Sequence, residues 1–162
     1  MTEPSRTEPD LSALLTHTSH VLSTRMSAAF AASGLGITPR GFCVLLHALE
    51  QERTQIQLAE IADLDKTTMV VTVDELERLG LAERRPSSTD RRARIISVTP
   101  SGAEAVAAGV QVADGVHRAA LAAVAEEDRA ALLRGLTTLY DGHLATPAES
   151  ERPVRRARRP RG

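Results

Sequence analysis

Apolar positions near the start of the chain recur at three- and four-residue steps, through Leu11, Leu14, Leu15, Leu22, Met26 and Phe30, with Thr18 on the same stripe. That period marks one face of an α-helix, and Ser33-Gly34 offers its end, because glycine accepts the left-handed conformation that closes helices. Thr38-Pro39 opens a second helix. The threonine hydroxyl can accept a bond from the first turn, and proline at the first helical position gives up only an N–H that the helix does not use. This helix, running through Glu50, is apolar almost all round (Phe42, Val44, Leu45, Leu46, Ala48, Leu49), a pattern that predicts burial.

Residues 56–62 form a short third helix with Leu58, Ile61 and Ala62 on one side. Only Asp63-Leu64 separates it from Asp65, which can cap a fourth helix over 66–79, and Gly80 suits that helix's C-terminus. Two short helices on a tight turn predict a helix-turn-helix, although the turn lacks its usual glycine. Residues 81–85 and 93–99 read as strands around the loop 86–90, a wing-like hairpin from which Arg94 can project. Thr99-Pro100 repeats the cap-and-proline start ahead of an alanine-rich helix over 103–125. Glu126-Glu127-Asp128 then suits a helix N-terminus, and the last helix carries Leu132, Leu133, Leu136, Leu139 and Tyr140.

The expected fold is therefore mainly α with a small β-hairpin wing. Residues 1–9 are a flexible start, 10–146 a single domain, and 147–162 a tail whose Pro, Ser and Arg composition cannot build a core. Within the domain, a winged helix-turn-helix (38–99) is flanked by terminal helices (10–34 and 100–146) whose apolar stripes exceed what the central unit can cover. Self-association with two-fold symmetry would bury the remainder, so a homodimer is expected.

Charge and composition narrow the function. The net charge of −1 hides a split: residues 151–162 hold six Arg against one Glu, leaving the rest of the chain acidic. Bulk charge thus does not announce a nucleic-acid binder, and local charge, as in the cluster Asp90-Arg91-Arg92-Ala93-Arg94, is where such a role is left to be sought. The polar first ten residues read as no signal peptide, and no apolar run reaches the roughly 18 residues that span a bilayer, so the expected location is the cytoplasm with no membrane partner. A single cysteine, Cys43, excludes an internal disulfide and a cysteine metal cluster; no cofactor and no metal are expected. Nothing resembles a phosphate loop, nucleophile elbow or paired-carboxylate site, so the chain reads as no enzyme. With Phe30, Phe42 and Tyr140 as the whole aromatic complement, stacking on single strands is disfavoured.

The stretch VDELERLGLAERRPSSTDRRARIISVTPSG, residues 73–102, is similar to the MarR family of winged helix-turn-helix transcriptional regulators. It resembles that family's end of recognition helix, first wing strand, Asp-x-Arg wing tip, second strand and Thr-Pro start of the fifth helix. The similarity extends over about residues 10–145. It implies a homodimer joined by its terminal helices, with two winged lobes on a pseudo-palindromic, double-stranded operator. It also implies repression of neighbouring genes, with release by a small-molecule effector or an oxidant.

On the recognition helix, Lys66, Thr67 and Thr68 can bond base edges or phosphates, and Val70 and Val71 can pack on thymine methyls. Family members often carry polar or basic side chains where these valines stand. Core packing is the competing role, more for Val71 than for Val70. Asp90 and Arg92 match the wing-tip pair, in which a carboxylate holds an arginine for the minor groove, while Arg84, Arg91 and Arg94 would meet phosphates. Salt bridging on a solvated turn is the alternative for that cluster. Four residues are candidates for a weakly anionic effector: His17, His20, Arg25 and His47. The spacing of His17 and His20 also permits a metal, and ordinary packing or surface roles compete with both. Cys43 reads as a buried small hydrophobe, since oxidant-sensing relatives place their cysteine near the start of helix 1. The Arg-rich tail is either a loose phosphate binder or a solubilising segment. Outside the DNA-binding reading stands a winged-helix protein-interaction module without specific DNA binding.

Overall fold

The computed structural model describes residues 9–87 and 93–146. Its elements run α1 (Leu11–Ala32), α2 (Pro39–Glu50), α3 (Gln55–Ile61), α4 (Lys66–Arg78), β1 (Ala82–Pro86), β2 (Arg94–Val98), α5 (Pro100–Leu121) and α6 (Glu126–Asp141). The chain forms two compact units, one ending at Ala120 and one beginning at Leu121.

Capping chemistry explains most boundaries in the first unit. Asp10 accepts from the N–H groups of Ser12 and Ala13 at the start of α1, and the Thr38 hydroxyl accepts from Gly41 at the start of α2. Helix α3 begins one residue earlier than its apolar pattern indicates. Thr54 accepts from the Gln57 N–H while the Gln57 side chain accepts from the Thr54 N–H, and this capping box draws Gln55 into the helix. The turn after α3 solves its missing glycine with Asp63, at φ 50°, since aspartate tolerates the left-handed region better than most side chains.

Helix α4 buries Met69, Thr72, Val73 and Leu76, residues spaced i, i+3, i+4 and i+7, and so lays one stripe on the core. Gly80, at φ 71°, ends it: the Gly80 N–H donates to Glu77 O and the Leu81 N–H to Leu76 O, satisfying carbonyls the helix leaves open. The chain then enters an antiparallel hairpin in the register Ala82 with Val98 through Pro86 with Arg94. Its second strand is also tied to the α2–α3 loop, through the Thr54–Ile95 bridge and the Ile96 N–H bond to Arg53 O.

The start of α5 lies three residues earlier than expected. Thr99 accepts from the Gly102 N–H and donates through the same hydroxyl to Gly80 O, so the cap works from Pro100 onward. A Cβ on Gly102 would lie 2.0 Å from the Leu81 carbonyl oxygen, so only glycine lets α5 approach the hairpin root this closely. The helix stops at Leu121, four residues short of the expected 125, as the chain turns through 122–124.

The core gathers Phe30, Ile37, Val44, Leu45, Leu58, Met69, Val73, Leu76, Ile96 and Val106. Helix α2 is less enclosed than its composition predicts: Val44, Leu45 and Ala48 are buried, whereas Leu49 is exposed. Phe30 and Phe42 join α1 to α2, with ring centroids 5.2 Å apart.

In the second unit, the Arg129 guanidinium donates to Val124 O ahead of α6, whose first turn holds Glu126, Glu127 and Asp128. Leu132, Leu133, Leu136 and Tyr140 are exposed, and α6 contains no buried residue.

Candidate nucleic-acid interface

The α4 N-terminus is organised by Asp65. One carboxylate oxygen accepts the Thr68 N–H at 2.9 Å and the other the Thr68 hydroxyl at 2.6 Å. These two bonds, the hydroxyl's first, hold the Asp65 carboxyl below the usual carboxylate range. The Thr68 hydroxyl is thus committed to the cap. Lys66 and Thr67 stand exposed on the first turn. Val71 is 64 % exposed and Val70 36 %, so the core role that competed for Val71 is not what the fold adopts.

The second half of α4 is already paired. Glu75 accepts the Arg78 guanidinium at 2.6 and 2.8 Å, which lowers the Glu75 pKa and raises that of Arg78. Arg84, expected to face phosphate, instead folds back from β1. Its Nη2 donates to Asp74 at 2.7 Å, its Nη1 to Glu77 and its Nε to Gln55 at 3.3 Å, while its backbone N–H donates to the other Glu77 oxygen at 2.7 Å. Asp74, Glu77 and Gln55 were not singled out for this role from sequence. Their convergence depends on α3, α4 and β1 meeting in space, although the i, i+3 spacing of Asp74 and Glu77 does place both carboxylates on one helix face. Arg94 is exposed at the start of β2. Asp90, Arg91 and Arg92 lie outside the described residues.

The expected effector residues do not converge. His17, His20 and Arg25 are exposed on α1, and no group of three or more potential metal ligands occurs among the described residues. His47 sits beside Glu50 at 3.1 Å, and the Arg53 guanidinium holds the same carboxylate at 3.0 Å. Those partners, His47 first, lower the Glu50 pKa. A cavity of about 640 Å³ lies elsewhere, between α1, the start of α2 and the α3–α4 turn. Its lining includes Ser23, Ser27, Phe30, Arg40, Cys43 and Leu64, and none of the four expected residues. Burial, and secondarily the Glu50 charge, pushes the Cys43 thiol up, so it stays protonated and poorly nucleophilic at neutral pH.

A tight helix pair whose second helix offers an exposed, capped front half, with a β-hairpin following it directly, defines a winged helix-turn-helix protein. Comparison with known proteins agrees. Residues 35–93 match the MarR family model. A Thauera aromatica protein, assigned as a transcriptional regulatory protein for the hcr operon, is 32 % identical over 115 residues, covering 70 % of this chain and 69 % of that protein. Among solved structures, CouR from Rhodococcus jostii RHA1 bound to p-coumaroyl-CoA is 25 % identical at a TM-score of 0.71, covering 88 % of this chain and 96 % of that one. The repressor CouR bound to a 23-mer DNA duplex is likewise 25 % identical, at a TM-score of 0.72 and coverages of 86 % and 98 %. The chain belongs to the MarR family of transcriptional regulators. Regulators of this family are DNA-binding proteins, typically homodimeric and generally non-enzymatic.

Proposed function

We propose that this protein is a ligand-responsive repressor in the cytoplasm that binds a pseudo-palindromic duplex operator as a homodimer. The observation that carries the reading is the front half of α4, where Lys66, Thr67, Val70 and Val71 are exposed side by side on the first two turns. Lys66 supplies charge for phosphate, Thr67 a hydroxyl for a base edge or phosphate, and the valines apolar surface for thymine methyls. Arg94, with Asp90, Arg91 and Arg92 from the wing tip, completes the proposed contact set. The relative bound to a DNA duplex supports this placement.

The exposed leucines of α6 and Leu11 and Leu14 of α1 support a dimer, since association would remove them from water. We place the effector in the cavity lined by Ser23, Ser27, Arg40 and Cys43, where apolar walls carry a few polar groups, in preference to the scattered histidines. A relative bound to p-coumaroyl-CoA supports a small-molecule effector in general.

The test is selection of bound duplexes from a random pool, followed by affinities for the best and a scrambled site across a salt series. The expected result is a palindromic consensus with half-sites ~34–36 Å apart and a preference of roughly a thousandfold or more. Equal binding to both duplexes that disappears at moderate salt would return the chain to the interaction-module reading, which the winged relatives do not favour.

A further inference from the structure

Arg84 is the most heavily bonded arginine among the described residues. All three guanidinium nitrogens donate to acceptors of this chain, on Gln55 of α3 and on Asp74 and Glu77 of α4, and its backbone N–H donates to Glu77 as well. Its side chain is 27 % exposed, whereas its partner Asp74 is 58 % exposed. Three of the five guanidinium N–H donors, Nε among them, are taken, and two carboxylates already share the charge, so this arginine is held by the protein rather than presented to phosphate. It has the geometry to fix one strand of the hairpin to two helices at once.

We infer that Arg84 is a positioning residue: with Glu77, Asp74 and Gln55 it clamps the wing to the recognition helix, setting where the wing meets DNA without itself touching DNA. The inference rests on the DNA-binding reading above. Position along the chain supports it. The clamp holds β1 near its middle, at the Arg84–Ile96 rung, while the Thr54–Ile95 bridge and the Ile96 N–H bond to Arg53 O hold β2 at the adjoining residues. Both strands are therefore anchored to the helix-turn-helix at the same level. The Ser87 hydroxyl bond to Glu52, at 2.6 Å, adds a further tie just beyond β1.

A clamp and a phosphate contact predict opposite signs for one substitution. Glu77→Gln removes one of the two negative charges that hold Arg84 and leaves an uncharged acceptor in its place. If Arg84 were a phosphate ligand, that change would release the arginine and tighten binding. If Arg84 is a clamp, the change loosens the wing and weakens operator binding, by about tenfold on the scale of coupled charge networks.

The experiment measures operator affinity and hydroxyl-radical protection of the DNA for wild type, Glu77→Gln, Arg84→Glu, Glu77→Arg and the charge-reversed double variant Glu77→Arg/Arg84→Glu. Amide exchange of β1 and β2 is measured in the DNA-free dimer, and thermal melting confirms that each variant folds. The expected result is that the single variants lose protection in the flanking minor groove, keep it in the central major groove and exchange faster in the hairpin. The double variant recovers both. Tighter binding by Glu77→Gln, or a double variant that stays as weak as Arg84→Glu with its hairpin already slowed, overturns the clamp. Unchanged exchange in every single variant overturns it too. A wild type that selects no DNA site would instead sink the repressor reading, and the exchange data would still decide the clamp.

Discussion

The two halves of α4 share one helix and one buried stripe, yet their outer faces are settled differently. Along Lys66–Val71 the outer groups are a lysine, a threonine and two valines that the chain leaves exposed. From Asp74 to Arg78, the polar side chains are paired within the fold, to Arg84 or to each other. A helix that kept acids free along its whole length would repel phosphate. Here the acids of the helix fall in the back half, where arginines neutralise them, and the front half stays exposed to solvent. The contrast between Val71 and Leu76 is equally sharp: one is 64 % exposed and the other 1 %.

The largest effect tests the shared stripe. Leu76→Ala, beneath the back half, should cost about 2–5 kcal/mol of stability, because a fully buried leucine leaves a cavity that its neighbours fill only in part. Chemical denaturation measures it, and a loss below the bottom of that range would mean that the two halves do not share a rigid base.

Val71→Ala should do the reverse, leaving stability within about 0.5 kcal/mol while weakening operator binding. Removing two methyl groups from an apolar contact corresponds to roughly 1–2 kcal/mol, or about tenfold in affinity. Replacing the contacted thymine by uracil should reproduce that loss, and the two changes together should add little further. Additive losses would separate Val71 from the thymine methyl.

The smallest effect concerns the cap. The Asp65 carboxyl has its pKa lowered in the fold by the Thr68 bonds, so its ionised form stabilises the native state. That contribution is present above the ordinary aspartate pKa of about 3.9 and is lost as pH falls through the lower folded value. The melting-temperature gap between wild type and Asp65→Asn should therefore be constant near neutrality and close only in acid. A gap that changes between pH 6 and 8 would assign the pH response to another group.

How much of this was legible in the sequence follows from the range of each interaction. Thr38-Pro39 located the start of α2 to the residue, because a cap acts over three positions. Asp65 and Gly80 bracketed α4 for the same reason. Met69, Val73 and Leu76 stand at i, i+4 and i+7, a spacing from which helical period alone gives the inward stripe. The pairing of Arg84 was not legible because its partners are 7, 10 and 29 residues away, and a basic residue in a wing looks the same in sequence whether it meets phosphate or carboxylate. The cavity was illegible for a related reason: Ser23, Arg40 and Leu64 share no periodicity and meet only after three elements pack. Asp63 falls between these cases, since aspartate is an acceptable left-handed residue but a weaker signal than glycine.

Gly102 has a mechanical consequence. With its backbone against the Leu81 carbonyl and the Thr99 hydroxyl fastened to Gly80, α5 is seated at the hairpin root with no side chain to act as a cushion. A helix of 22 residues is roughly 33 Å long at 1.5 Å per residue. A tilt of only about 5° around that seat moves the other end by roughly 3 Å on that length. Small angular play at one glycine is thus geared into a displacement as large as a hydrogen bond is long, and the gearing runs equally well in the opposite direction.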